Sequence, residues 1–314
     1  MIVGIDVSKD KLDIKILPFN KYYQIKNSRS SVKSFMKNRL SKLGNPDLMV
    51  FESTGGYEKT LMLCLMDLKL PFHRAHPKRV YHFAKGKGYF AKTDRIDADM
   101  LAKYGQQEEI VEDEISTAEE LRRQELSARR SQIKAMISQE KNRLHCVYVN
   151  IQIKRSIKRQ IKQLEKELAV LNKILEELLS KDEDSNARRK LLQTVPGVGN
   201  EVATLMVTDM PELGKLSREQ ISNLVGVAPQ TKDSGKKASY RAISKGRHHV
   251  RKALYMSALV AMRYNPNLKI MYDRLISRGK KPKVALVALM RKLIITMNAM
   301  VRDNKPWALQ TNLT

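Results

Sequence analysis

Ile2-Val-Gly-Ile-Asp-Val-Ser-Lys-Asp-Lys-Leu-Asp-Ile-Lys-Ile-Leu17 decides the fold of the first third of this chain. A short apolar strand, Ile2 to Ser8, ends in the polar turn Ser8-Lys-Asp10. Leu12 to Leu17 then alternates apolar and polar residues as a half-buried strand does. Tyr22-Tyr-Gln-Ile-Lys26 follows as a third strand, and short turns joining three strands make an antiparallel meander. Asp6 lies on the first strand, with Ile5 and Val7 pointing the other way.

Beyond the meander, Ser30 to Leu43 has helical periodicity through Val32, Phe35, Met36, Leu40 and Leu43. Asp47-Leu-Met-Val-Phe-Glu52 reads as a buried strand, Ser53-Thr-Gly-Gly56 opens a helix over Tyr57–Leu70, and Phe72 to His76 is a fifth strand. Basic ground runs from Lys78 to Lys92, into Phe90-Ala-Lys-Thr-Asp-Arg-Ile-Asp-Ala-Asp-Met-Leu101. That last stretch starts a helix, with Thr93 or Asp94 as its cap. Asp94 and Asp97 share one helical face, and Asp99 points away. Three antiparallel strands, helix, strand, helix, strand, helix is the order of a ribonuclease-H-like domain.

In that order Asp6, Glu52, Asp94 and Asp97 converge. Four carboxylates repel one another unless cations neutralise them, so the expected ligands are two Mg²⁺, with Mn²⁺ able to substitute. Two metals about 4 Å apart activate the attacking oxygen and stabilise the leaving oxygen of a phosphodiester. Taken singly, each acid has a structural reading: Asp6 ends a strand, Glu52 caps the next helix, and first-turn acids favour any helix through its dipole. A sugar-kinase fold also opens on an apolar strand carrying Gly-Ile-Asp-Val-Ser, but it needs a Gly-rich adenosine-binding domain later, and the chain holds Gly 14 in all.

The 314 residues allow two domains, or two and a connector. Lys+Arg 59 against Asp+Glu 33 gives a net charge of +26, which implies a polyanionic partner, nucleic acid first. The rival, an anionic membrane, finds no run of eighteen apolar residues and no leader before the first strand, so no membrane association is expected. Cys64 and Cys146 have no disulfide or zinc-finger spacing.

From Thr117 to Lys181 Gly and Pro disappear. Leu121 to Leu144 makes one long basic helix, Val147 to Asn150 a break, and Ile157, Ile161, Leu164, Leu168, Leu171, Leu175 and Leu178 a heptad seam on a second. A helical hairpin or an intermolecular coiled coil is expected, ended by a polar loop over Asp182 to Asn186. Leu191-Leu-Gln-Thr-Val-Pro-Gly-Val-Gly199 has the form of a helix-hairpin-helix, where N–H groups around Gly197 and Gly199 would hold a DNA phosphate. Arg241, Lys245, Arg247, His248, Arg251 and Lys252 cluster as a phosphate clamp ahead of an apolar helix, and a closing helix runs over Val284–Val301.

The chain resembles the transposases of the insertion-sequence one-ten family, which are guided by a bridge RNA. The likeness rests on Gly4-Ile-Asp6-Val-Ser, Glu52-Ser-Thr-Gly-Gly-Tyr57, Lys92-Thr-Asp94-Arg-Ile-Asp97-Ala, Val195-Pro-Gly-Val-Gly199, Gly226-Val-Ala-Pro229, Asp233-Ser234-Gly235 and Ile243-Ser-Lys-Gly246. It implies an α/β plus all-α chain: a RuvC-like catalytic domain at 1–112, a coiled-coil connector at 113–186 and a mostly helical transposase domain at 187–314. It implies an Asp-Glu-Asp-Asp site at Asp6, Glu52, Asp94 and Asp97, and a serine nucleophile at Ser234, with Ser239 close by in the same loop. Lys92 and Arg95 become phosphate contacts beside that site. Donor and target DNA, a structured guide RNA, and a dimer or tetramer are the implied partners, in a prokaryotic cytoplasm at the nucleoid. Two other classes remain: a RuvC-like nuclease that resolves junctions by hydrolysis, and a basic nucleic-acid scaffold whose acids are structural.

Overall fold

Gly4 determines how the N-terminal elements meet. It lies on strand β1 (Ile2–Val7), and a Cβ placed there would stand 2.2 Å from both the Ala98 carbonyl oxygen and the Ala102 amide nitrogen. Only a glycine lets helix α4 (Asp94–Tyr104) lie backbone to backbone on that strand. In the computed structural model, which describes residues 1–88, 93–107, 110, 117–230 and 242–308, the chain divides into two compact units, Met1–Ala118 and Glu119–Thr314.

The first unit holds a five-stranded sheet of β1, β2 (Lys11–Leu17), β3 (Lys21–Lys26), β4 (Leu48–Glu52) and β5 (Phe72–Ala75), in the order β3-β2-β1-β4-β5. The meander is antiparallel, and β4 and β5 run parallel to β1. This mixed α/β arrangement is consistent with the ribonuclease-H-like expectation. Val3, Ile5, Leu12, Ile14, Ile16, Met49 and Phe51 are fully buried in its core. Asp13 and Lys15, expected on a solvated face of β2, are also buried, because α4 packs on that strand as well as on β1.

Several boundaries differ from the sequence reading, each for a local reason. The helix expected over Ser30 to Leu43 is α1 (Arg29–Phe35), capped by Ser28, then a π-helical turn at Met36–Leu40. Helix α2 is Lys59–Asp67 rather than Tyr57–Leu70. The buried Glu58 carboxylate accepts bonds from the Thr54 hydroxyl (2.8 Å) and the Gly56 amide (2.8 Å), which holds the preceding loop out of a helix. The basic ground after Lys78 contains helix α3 (Pro77–Gly86), started by Pro77 behind a His76 cap and anchored by Val80 and Ala84.

In the second unit, α5 (Ala118–Cys146) and α6 (Ile151–Lys181) are two long helices joined at 147–150. Ile133, Ile137 and Ile161 pack together, bordered by Leu144, Ile157, Leu164, Leu168 and Leu171. The polar loop expected at Asp182 to Asn186 is one residue long: Asp182 caps α7 (Glu183–Gln193) by accepting from the Ser185 amide at 3.2 Å. Its carboxylate also takes the buried Arg123, so the acidic run starts a helix. Helices α8 (Asn200–Asp209), α9 (Arg218–Val225), α10 (His248–Tyr264), α11 (Pro266–Ser277) and α12 (Pro282–Asp303) complete the unit, with a two-strand ladder of β6 (Pro229–Gln230) and β7 (Ala242–Ile243). Helix α11 was not foreseen. Helix α12 has the length and apolarity of a membrane span, yet Leu289, Leu293, Ile294 and Met297 on it are buried in the core with Leu254 and Ala258 of α10.

Candidate active site

Strand alternation carries the argument from Gly4 to the acids. Since Gly4 faces α4, Asp6 two residues on faces the same side. The parallel register pairs Ile5 with Phe51, which sets Glu52 beside Asp6 at the ends of β1 and β4. The antiparallel register sets Asp13 directly opposite Asp6, and cross-strand partners share a face. Thr93 caps α4 by accepting from the Ile96 amide at 3.3 Å, and this starts the helix with Asp94 and Asp97 in its first turn.

The electrostatics register this convergence. Burial, then the charges of Asp97, Asp94 and Asp13, push the Asp6 carboxyl up to about 6. Burial opposes the charge on Asp13 too, but hydrogen bonds from Tyr22, Gln24 (2.8 Å) and Lys11 outweigh it and hold that carboxyl below its ordinary value. Asp13 is therefore a fixed negative charge beneath Asp6. Lys11 lies 2.7 Å from Asp94 and 3.3 Å from Asp13, and the Asp94 carboxylate raises its ammonium above the usual value. Asp99 drops out as expected, pairing with Lys103 at 2.8 Å and Lys15 at 3.8 Å.

These side chains offer carboxylate oxygens only, the donor set of a hard cation such as Mg²⁺ or Mn²⁺. Among the described residues, no three acidic, histidine or cysteine side chains are gathered closely enough to hold an ion as they stand. The donor chemistry fits a divalent cation; the spacing would have to tighten, and Asp94 would have to leave Lys11. Arg95 is exposed, with its guanidinium 5.0 Å from the centre of the Tyr22 ring. Lys92 lies outside the described residues.

The second unit shows which of the expected basic residues are committed to the fold. Arg247 grips Glu212 with both terminal nitrogens, at 2.7 and 2.5 Å, and donates to the Asp209 carbonyl at 2.9 Å. Arg251 donates to the carbonyls of Gly226 and Lys245. Lys245, His248 and Lys252 are exposed. Gly197 is pressed against α10, where a Cβ would meet the Ala261 amide nitrogen at 2.8 Å; Gly199, at the head of α8, is exposed with nothing around it. The β6–β7 pairing brings together the two ends of the loop 231–241. Ser234, Ser239 and Arg241 fall within that loop, outside the described residues.

Sequence reading passed over Lys11, Asp13 and Glu58. Asp13 had a signal: counting outward from the Ser8–Asp10 turn sets it opposite Asp6. It also passed over a polar link in the second unit, where Asp209 accepts from Ser127 at 3.1 Å and pairs with His249 at 3.1 Å.

Comparison with known proteins covers both units. A model described as the transposase IS116/IS110/IS902 family matches residues 189–273, and a second, a transposase model of the DEDD type of IS110, matches residues 3–153. The chain is 24% identical over 315 residues to the pilin gene-inverting protein of Moraxella lacunata, covering 97% of each. The protein of the same name from Moraxella bovis matches at 24% over the same share of both chains. The insertion element IS110 uncharacterized 43.6 kDa protein of Streptomyces coelicolor is 33% identical over 115 residues, 36% of this chain and 28% of that one.

Proposed function

This chain belongs to the IS110 family of transposases, and we propose that it excises and inserts a mobile DNA element by joining DNA transiently to a serine of its own. The massing of carboxylates on the α4 face of the sheet, with Asp6 pushed up to about 6 by burial and then by the charges of Asp97, Asp94 and Asp13, carries this reading. Asp99 has two lysines, Lys103 and Lys15, whereas Asp94 and Asp13 share one, Lys11. Asp6, Glu52, Asp94 and Asp97 would hold Mg²⁺ or Mn²⁺, which when bound supplies positive charge to the phosphate oxygens and to the attacking hydroxyl.

In the proposed step the Ser234 Oγ attacks phosphorus in the DNA backbone. A serine–phosphate bond forms as the bond from phosphorus to one deoxyribose oxygen breaks, and the serine proton passes through solvent to that oxygen, which leaves as the new hydroxyl. The link keeps the energy of the phosphodiester, so the reverse attack by a different strand rejoins DNA without an outside energy source. Exposed Lys245 and Lys252, with Arg241, Lys92 and Arg95, would contact phosphates. Arg247 and Arg251 are taken by Glu212 and by backbone carbonyls, and the N–H groups following Gly199 offer a further phosphate seat. A structured noncoding RNA supplies target choice by base pairing, the working assembly is a dimer or tetramer, and the site of action is the nucleoid in the cytoplasm.

Ser234→Ala and Asp94→Ala should each abolish strand exchange, scored on a plasmid carrying donor and target sites, while leaving DNA and RNA binding within about twofold. Wild-type protein should yield a protein–DNA adduct that survives denaturant. Exchange persisting in Ser234→Ala would overturn the assignment, with Ser239→Ala run alongside to find the nucleophile. Cleavage without an adduct would instead indicate hydrolysis.

A further inference from the structure

The end of the α5–α6 hairpin combines two features that the proposed chemistry does not use. At the turn, Tyr148 is 83% exposed and Val149 90%, with Ile151 and Ile153 also exposed on the first turn of α6. Tyr148 is the most solvent-exposed aromatic side chain among the described residues. Just behind it, Lys154, Arg155, Lys158, Arg159, Lys162 and Lys166 occupy α6.

At about 100° per residue these six cations fall within about 140° of the helix circumference. The packed seam of Ile157, Ile161, Leu164, Leu168 and Leu171 lies outside that arc, so the cationic face runs without an acid from Lys154 to Lys162, and Glu165 is the one acid on it before Lys166. From Val147 to Gln163 no acidic residue occurs. The next acids are engaged: Glu165 pairs with Lys141 at 3.0 Å and Glu167 with Arg129 at 3.0 Å. On the facing end of α5, Glu140 is buried and taken by Arg143.

An exposed apolar tip by itself would suit a second copy of the chain. The charge argues otherwise, because two such tips brought together would oppose cation to cation with no acid to separate them. The complement is a polyanion that also carries flat apolar surface, and a nucleic-acid strand with unstacked bases has both. A duplex offers phosphates but keeps its base faces covered.

We propose that the hairpin tip is a docking site for an unpaired nucleic-acid strand, with a base stacked on Tyr148 and its backbone phosphates running along the Lys154–Lys166 face of α6. This rests on the reading of the chain as a nucleic-acid enzyme, but on neither the carboxylates nor Ser234. The strand crosses the tip, and Asn150, which caps α6 by accepting from the amides of Gln152 (3.0 Å) and Ile153 (3.1 Å), fixes the turn that presents the tyrosine.

Cys64 is buried and Cys146 exposed, so a maleimide fluorophore on the full-length protein reports from the base of the tip. Titration with a twelve-nucleotide poly-U strand, its deoxy counterpart and a blunt duplex of the same length should give tighter binding of both single strands. Tyr148→Ala should weaken single-strand binding about tenfold and leave the duplex nearly unchanged. Lys158→Glu with Arg159→Glu should weaken all three and flatten the dependence on salt by about two phosphate contacts. Preference for duplex, or single-strand affinity unchanged in Tyr148→Ala with native helicity, would overturn the proposal. So would a fall in oligomeric mass by light scattering in the same variants, which would make the tip a self-association surface. A failure here leaves strand exchange by the wild type untouched, and exchange surviving Ser234→Ala leaves this readout untouched.

Discussion

Asp6 and Asp182 are both partly buried carboxylates, and their surroundings drive them in opposite directions. Asp6 is pushed up to about 6 by burial and by Asp97, Asp94 and Asp13. Burial works against Asp182 as well, but hydrogen bonds from Arg123 and Ser185 overcome it and bring the carboxyl down to about 2. Around Asp6 the first unit gathers like charges on one face; in the second, Arg247 takes Glu212 and Arg189 takes Glu176. A carboxylate with its own arginine serves the fold. Carboxylates that face one another persist because the backbone forces them together, which is the arrangement the proposed site needs.

The contrast can be broken from either side. Asp182→Ala leaves Arg123 buried without its counter-charge and should cost about 3 kcal/mol in urea denaturation at neutral pH. Because the folded carboxyl lies below its unfolded value, that loss should be full above pH 4 and fade as pH falls toward 2. Gly4→Ala forces a methyl group into the backbone of α4 and should cost about 2–3 kcal/mol. If the variant folds, α4 is displaced, and an NMR titration should find the Asp6 carboxyl back toward its ordinary value. Asp6→Asn should do the reverse of most substitutions and stabilise the protein, by about 1 kcal/mol after solvent screening. Native Asp6 binds its proton more tightly than the unfolded chain does, so its contribution is present below about pH 4 and lost as pH rises through 6. The gain in melting temperature of Asp6→Asn should therefore be absent below about pH 4, grow as pH rises and be full above pH 6 in metal-free buffer. No gain at pH 8 would mean that the acids do not oppose one another.

How much of this was legible in the sequence varied with the range of the interaction. Strand alternation and the Ser8–Asp10 turn are local, and they gave the meander; the run of long side chains without Gly or Pro gave α5 and α6 and the break at 147–150. What failed was decided by contacts across the chain. Asp13 and Lys15 have the polar phase of a solvated strand face, and only the arrival of α4, some 80 residues later, buries them. Asp182 reads as loop beside four other polar residues until Arg123, from α5, selects it as a cap. Helix α3 failed for another reason: Val80, Phe83 and Ala84 had the right spacing, but the density of lysine around them masked it. Of the proposed site, the nearness of Asp6 to Asp94 and Asp97 followed from element order, whereas Lys11 and Asp13 required register.

The contact at Gly4 has a consequence for how this site can change over generations. Where a helix rests on a sheet through side chains, each core substitution alters the spacing and shifts whatever the helix carries. Here α4 meets β1 atom against backbone atom at Ala98 and Ala102, so no side chain acts as a spacer between Asp6 and the first turn of the helix. Ile5, Met100 and Leu101 can drift in size and alter stability while the distance between the acids keeps the same mechanical stop. Such a stop lets the hydrophobic interior diverge freely between relatives that retain one arrangement of carboxylates.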